Sequence, residues 1–548
     1  MLKRLFQQHK MGPSFGVTLG VVLMICGPIS FLLIRVFSEK SEYWDHVATY
    51  LLPKYMQNTG IIALGVAVAA ACIGVFTAYF MTFFDFPLKR IFRWLVLLPL
   101  AIPPYIGAVV YFGMLSYTGV VQQFLRGPLG LEGPFKSLNI MNIGGVIFIF
   151  SIFLYPYVYA ITYTFMQRQA NQFIESARTL GYSMKEIFFK LLIPLMRVPL
   201  ISSVTLVVLE VLSDYGVVNY YGVPTFSTAI FKTWFSMGDV TTAIRLALLL
   251  ISIVLTVLTT ERLLVRRKRF GLAQAKRTPI KVRALKGWRA IGVTSGFAVI
   301  TSLGFIIPTL QLIQWALMAL DSVQLRGLSK ILLHTISLAA CVAAVVVVVG
   351  LVIAHNTRKR QRTFDHVMAK LTISGYALPG AVIAIGVTMS FIALDRFISG
   401  FGIYEVLGFG TKTLVISSSI VMLGFALIMR FMAIGYNNIE SGMTQLGDGY
   451  YYAARLMGLK SYQAVLQVDV PMLKTALLSS FALVFVDVLK ELPLTLVLRP
   501  FNFTTLATRV YEYANDEMIH EASVASLLII GISMMSVWLL YRMLNKED

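Results

Sequence analysis

Apolar runs of membrane-crossing length, separated by shorter polar connections, dominate the hydrophobic pattern of this chain. Twelve of them fall near residues 12–35, 59–83, 92–117, 143–166, 195–213, 239–262, 290–318, 331–355, 369–395, 412–434, 474–492 and 522–543. A helix needs about 20 mostly apolar residues to cross the hydrocarbon of a bilayer, so each run predicts one spanning helix. The expected fold is an all-α polytopic membrane protein with about 12 transmembrane helices. Composition agrees: 57% of the 548 residues are hydrophobic and 13% charged, with a mean hydropathy of +0.76. Such a chain is not a soluble domain with a polar surface.

The formal net charge of +21 also suits a nucleic-acid binder, so its distribution decides. Basic residues gather in a few connections: Lys89, Arg90 and Arg93; Arg178, Lys185 and Lys190; the stretch 266–289; and "RKRQR" at 358–362. Counted alternately from a cytoplasmic N-terminus, all of these fall on one side of the membrane, as the positive-inside rule requires. The charge is topological and calls for no nucleic acid, and both termini are expected in the cytoplasm. The N-terminal "MLKRLFQQHK" and its apolar run resemble a secretory signal, but the run is long and no A-x-A site follows, so a retained first helix is expected. Cys26, Cys72 and Cys341 lie inside apolar runs at spacings that match neither a disulfide framework nor a zinc site.

An internal repeat organises the chain. "ESARTLGYSMKEIFFKLLIPLM" (175–196) and "YYAARLMGLKSYQAVLQVDVPML" (451–473) align at an offset of 277, which pairs Ala177 with Ala454, Arg178 with Arg455, Gly181 with Gly458 and Pro194 with Pro471. The same offset pairs Glu210 with Asp487, Asp214 with Glu491, Phe226 with Phe503, Thr228 with Thr505 and Lys232 with Arg509. The expected organisation is a first repeat over 1–265, a basic cytoplasmic linker over 266–289 and a second repeat over 290–548. Six helices per repeat, an even number, make the two repeats parallel about a pseudo-twofold axis along the membrane normal.

Two segments of this repeat, 171–194 and 448–471, lie between spanning helices on the basic side and are long for connections. Ala/Arg/Leu before Gly, then an amphipathic stretch before Pro, predicts helix, turn, helix, with Gly supplying the left-handed turn. Glu175, Ala177, Gly181 and Pro194 form the pattern E-(A/S)-A-x-x-x-G followed thirteen residues later by Pro, and Ala453, Ala454, Gly458 and Pro471 repeat it. This resembles the EAA loop of ABC-importer permeases, the segment that docks on a cytoplasmic ATPase. The second copy departs from it, with Tyr452 at the position of Glu175. A single copy is also what an ordinary amphipathic interfacial loop looks like; two copies at matching positions weigh against that. The chain has no G-x-x-x-x-G-K-[ST]. ATP and Mg therefore belong to a partner subunit, and this chain is expected to be neither the hydrolase nor the holder of a cofactor.

Glu210 and Asp214 are four residues apart, as are Asp487 and Glu491, so each pair shares a helix face within an apolar run. An ionised carboxylate at the bilayer centre costs about 2.5–3.5 kcal/mol on insertion scales. Two explanations stay open: a ring of oxygen ligands around a cation path, which hard cations favour, or ion pairs with Lys490, Arg499 or Arg245. Pro224 and Pro493 are expected to kink the same region beside a path or gate.

With "DYG", "TFSTAIFKTW" and "DVLKELPLTLVLRPFNFTTLATRVYEYA" around them, these acids resemble the fused two-copy permeases of bacterial ferric-iron ABC importers over nearly the whole chain. The resemblance implies the type I ABC-importer permease fold, a bacterial inner-membrane location, a cytoplasmic ABC ATPase dimer, a periplasmic or lipid-tethered ferric-binding protein, and transient ferric ion at Glu210, Asp214, Asp487 and Glu491. Thiamine permeases share the fused form, which leaves thiamine or another organic cation as the nearer alternative. A secondary cation-coupled transporter is the alternative of another class, one that has no use for two EAA loops.

Overall fold

The computed structural model describes residues 13–35, 41–127, 139–183, 186–266, 282–320, 325–360, 363–401, 403–406 and 414–544. Eleven helices in it are long and apolar enough to cross a membrane. A twelfth span is formed if Ser461–Met472 and Lys474–Lys490, bent by 77° at Leu473, are one crossing. Each span overlaps one of the twelve apolar runs, but those facing the runs 92–117 and 369–395 begin only at Pro104 and Gly380. Cys26, Cys72 and Cys341 are free thiols.

Both repeats build the same three-helix core. In the first, Leu52–Phe83 packs along Ile143–Thr179, with Ile193–Ser213 laid on both. In the second, Leu325–Arg360, Ile420–Leu446 and Lys474–Lys490 do the same. Lipid gives helices no hydrophobic reason to associate, so close contact at small residues decides the packing. A Cβ on Gly74 would stand 3.0 Å from the Tyr159 backbone N, and one on Gly350 would stand 3.5 Å from that of Tyr436. Gly74 and Gly350 are 276 residues apart and the tyrosines 277, so the helix crossing itself is duplicated.

Helix irregularities follow proline. Four of the five π-helical segments among the described residues, Val47–Leu51, Ile187–Leu192, Ser302–Ile306 and Val465–Asp469, end two residues before a proline. A proline lacks the N–H of the i→i−4 ladder and its ring collides with the carbonyl one turn back, so the preceding turn widens. Pro194 and Pro471, which pair in the sequence repeat, impose the same widening.

The compact units cut across the repeats. One comprises the described residues of Met1–Glu39, Gln324–Thr508 and Met535–Asp548; the other, those of Lys40–Val323 and Arg509–Met534. Helix Pro13–Arg35 packs with Leu325–Arg360, Thr363–Thr372 and Gly380–Gly400, where Gly386 lies against Pro28 and Leu32. Helix Trp288–Thr301, the first of the second repeat, instead brings Phe297 among Phe76, Phe86 and Phe92 of the other unit. Just before that helix, Arg283–Ala284 forms a two-residue parallel ladder with Phe84–Asp85. Linker residues 267–281 lie outside the described residues.

Candidate functional site

The Gly turns form as the spacing predicts. Helix Ile143–Thr179 ends at Leu180, and Gly181 takes φ +84°; its N–H donates to Arg178 O at 3.0 Å and that of Tyr182 to Ala177 O at 3.1 Å. In the second copy, Gly458 takes φ +91°, its N–H donates to Arg455 O at 3.2 Å and that of Leu459 to Ala454 O at 3.3 Å. A left-handed residue closing paired backbone bonds is the Schellman ending, which satisfies otherwise orphaned carbonyls. The next helix is capped alike in both: Ser183 N donates to Glu186 Oε2 at 3.0 Å, and Lys460 N to Gln463 Oε1 at 2.8 Å. That bond, followed by Lys190 and the Ser183 hydroxyl, holds the Glu186 carboxyl down at about 2.

The tips of these turns are apolar and open. Leu180 and Met457, 277 residues apart, are each 76% exposed. Beneath the second, Ala454 is buried with Tyr451 and Ala464, while Arg455 reaches back to Leu459 O at 2.5 Å. Arg178 and Tyr452 are exposed. The Glu175 side chain lies outside the described residues.

The acids sit at two helix breaks of one design. Helix Ile193–Ser213 stops at Asp214, whose Oδ1 accepts from Val217 N at 2.9 Å and so caps Gly216–Tyr220. Helix Lys474–Lys490 stops at Glu491, whose Oε1 accepts from Leu494 N at 3.0 Å and whose Oε2 accepts from Thr495 N at 3.0 Å, capping Pro493–Leu498. Asp214 and Glu491, like Val217 and Leu494, differ by 277. The buried Glu491 also accepts from Arg430 Nη1 at 3.2 Å, with Arg430 itself nearly buried. Its ion-pair partner is thus a residue absent from the three cations named from sequence. Arg245 lies over Trp44, and Arg499 Nη1 donates to Thr504 and Thr508. Glu210 and Asp487, one turn before each break, are half-buried.

Two expectations change. Pro493 starts a helix at its first position, where the missing N–H is no loss, and Pro224 lies in a loop with its carbonyl accepting from Asn58 Nδ2 at 2.9 Å. Neither kinks a helix; the breaks come from the capped acids. Beyond the break the repeat register moves to 280. Thr225 caps Phe226–Phe231 through Thr228, and Thr505 caps Leu506–Asn515 through Thr508. The first N–H of each helix, Phe226 or Leu506, donates to Thr59 or Thr335 Oγ1 at 3.3 and 2.9 Å. The matches of Phe226 with Phe503 and Thr228 with Thr505 are therefore coincidental, because the second loop is three residues longer. Tyr221 is buried with its hydroxyl on Ala108 O at 3.2 Å, and Tyr215 packs on Phe231.

A further pair of breaks was not anticipated. Ile102–Pro103 and Leu378–Pro379, 276 apart, are extended joints between a 3-10 turn and the helices Pro104–Leu115 and Gly380–Gly400. A Cβ on Gly380 would meet Arg430 at 2.5 Å and Pro493 at 3.2 Å, so this joint packs directly on the Glu491 break. "AIPPY" and "ALPGA" carried the signal. Among the described residues, no group of three or more His, Cys, Asp or Glu side chains converges as a resident metal would require.

Duplicated, multiply broken spanning helices with turned-out loops on the basic side define a two-copy membrane permease. The chain belongs to the family described as binding-protein-dependent transport system inner membrane component, matched twice, over residues 70–269 and 346–547. It is 22% identical over 543 residues to the Fe(3+)-transport system permease protein FbpB 2 of Haemophilus influenzae, covering 97% of this chain and 98% of that protein. It is 21% identical to the ferric transport system permease protein FbpB of Actinobacillus pleuropneumoniae over 87% of this chain and 69% of that one. The sulfate transport system permease protein CysT of Salmonella typhimurium is 23% identical over 38% of this chain and 75% of its own length. The fold is that of a type I ABC permease, in an inner-membrane, multi-pass chain.

Proposed function

We propose that this chain is the permease of an ATP-driven importer, that a cytoplasmic ATPase pair docks on its two Gly-turn elements, and that its cargo is ferric iron handed over by an external binding protein. The duplicated turn carries the importer reading: one backbone geometry, built twice, presents an exposed apolar tip beside exposed arginine. ATP and Mg are bound by the partner, and both termini lie in the cytoplasm. ATP-driven closure of the partner moves the turns, and the broken helices let each unit alternate between outward and inward access.

For the cargo, the support is the whole-length likeness to a protein named for Fe(3+) transport. Glu210 and Asp487, half-buried one turn before the capping acids Asp214 and Glu491, are the transient contacts we assign to a hard cation. An inward membrane potential adds about 2.3 kcal/mol per charge per 100 mV. The sulfate relatives raise a second cargo, but the buried Arg430 is already matched by Glu491 and offers no net positive charge to a dianion.

The test is uptake in proteoliposomes carrying the permease, its ATPase and a loaded binding protein. Iron uptake that requires ATP is expected; ATP-dependent uptake of sulfate or thiamine in its place overturns the cargo, and gradient-driven uptake without the ATPase overturns the importer. Glu210→Gln with Asp487→Asn should lower iron uptake at least tenfold with assembly intact, and full uptake would remove both acids from the path. Gly181→Val or Gly458→Val forces a β-branched residue into a left-handed turn, at about 1–2 kcal/mol, and should weaken ATPase capture in a pull-down.

A further inference from the structure

The second turn element is fastened to its unit by a cluster centred on Arg358. Arg358, at the cytoplasmic end of helix Leu325–Arg360, sends Nε to Asp448 Oδ1 at 2.5 Å, Nη1 to Asp469 Oδ1 at 3.3 Å and Nη2 to the carbonyl of Gly447. Its guanidinium also lies 5.7 Å from the centre of the Tyr451 ring. One turn earlier, His355 packs edge-on to Tyr451 at 5.2 Å and approaches Ser461 Oγ at 3.4 Å, and Tyr451 and Ser461 share a 3.0 Å bond. One helix end thus grips the element before its first helix, within that helix, at the start of its second and at its exit. Asp469 is wholly buried, and its second oxygen has no protein partner.

The three charged residues of this cluster have no charged counterparts at the matching positions of the first repeat. The offset of 276 that relates Thr59 to Thr335 and Gly74 to Gly350 sets Thr82 where Arg358 stands. The offset of 277 sets Asn171 and Leu192 where Asp448 and Asp469 stand. Thr82 donates its hydroxyl to Ala78 O within its own helix, and Leu192 is an apolar, buried residue. A planar guanidinium with several forked donors can join two carboxylates and a carbonyl at once; an ammonium cannot hold that geometry.

We propose that Arg358 is a positioning residue that makes the second turn element, which follows the helix end at Gly447, move as one body with its unit; the first element instead continues helix Ile143–Thr179 without a break and meets helix Leu52–Phe83 where Tyr79 packs on Phe188 at 4.6 Å. The consequence for cargo moved per ATP rests on the importer reading; the anchoring does not. Spin labels at Val348→Cys and Met457→Cys, in a chain with its native cysteines replaced by serine, report the second element. Labels at Cys72 and Leu180→Cys, with the other two cysteines replaced, report the first from matching positions. In the permease alone, Arg358→Gln should at least double the width of the 348–457 distance distribution and leave the 72–180 distribution unchanged, and Arg358→Lys should fall between. In the full complex, cargo moved per ATP should fall about tenfold with Arg358→Gln. An unchanged 348–457 distribution overturns the proposal whatever the ATPase does, as does a tenfold loss that Arg358→Lys does not partly restore. A wild-type complex that hydrolyses no ATP would instead defeat the importer reading, and the label distances would still decide the anchor.

Discussion

The break at Asp214 and the break at Glu491 share a backbone and differ at the position of Arg430. Each acid ends a spanning helix in extended geometry and caps the next through the N–H three residues on. Glu491 adds a buried guanidinium, from Arg430; the 277 offset puts Phe153 in that place in the first repeat. Phe153 is itself packed against Gly107. Duplication has kept what the backbone demands, because an uncapped helix start in lipid leaves N–H groups with no water to satisfy them. The side chain at the Arg430 position was free to diverge.

The largest effect should come from taking one charge out of the second break. Arg430→Met leaves Glu491 buried without its cation and should cost about 3–5 kcal/mol, read as thermal unfolding of the purified protein. The double variant Arg430→Met, Glu491→Gln should recover most of it, since no unpaired charge remains. A smaller contrast follows from the caps. Asp214→Ala removes a cap of about 1 kcal/mol, whereas Glu491→Ala removes a cap and strands Arg430, so the second variant should unfold at the lower temperature. The register beyond the breaks is sharpened by Thr505→Ala, which should cost about 1 kcal/mol as Thr225→Ala does, while Asn502→Ala, 277 residues from Thr225, should stay within about 0.5 kcal/mol of wild type. Smallest, Thr59→Val and Thr335→Val each delete the acceptor of one helix-start N–H and should cost similar amounts, about 0.5–1.5 kcal/mol.

The spans were legible because length and hydropathy alone decide them, and the Gly turns because only a left-handed residue closes that hydrogen-bond pair. Arg430 was not, for its partner lies 61 residues away. The joints at Pro103 and Pro379 were hidden inside apolar runs, since hydropathy does not register a broken backbone in an unbroken apolar stretch. The slip from 277 to 280 was masked by repeated Phe and Thr, which matched in the wrong register. Nor did sequence order reveal which unit each first helix joins: between helices in lipid the choice rests on close packing, such as Gly386 against Pro28 and Leu32.

That last contact bears on how the protein is made. Helix Pro13–Arg35 leaves the ribosome well ahead of Gly380–Gly400, on which it settles and which is made some 350 residues later. At synthesis rates of about 5–20 residues per second, the helix waits roughly 20–70 seconds in the bilayer before its docking surface exists. Through that interval the face of the helix that carries Pro28 and Leu32 has no Gly386 to pack on.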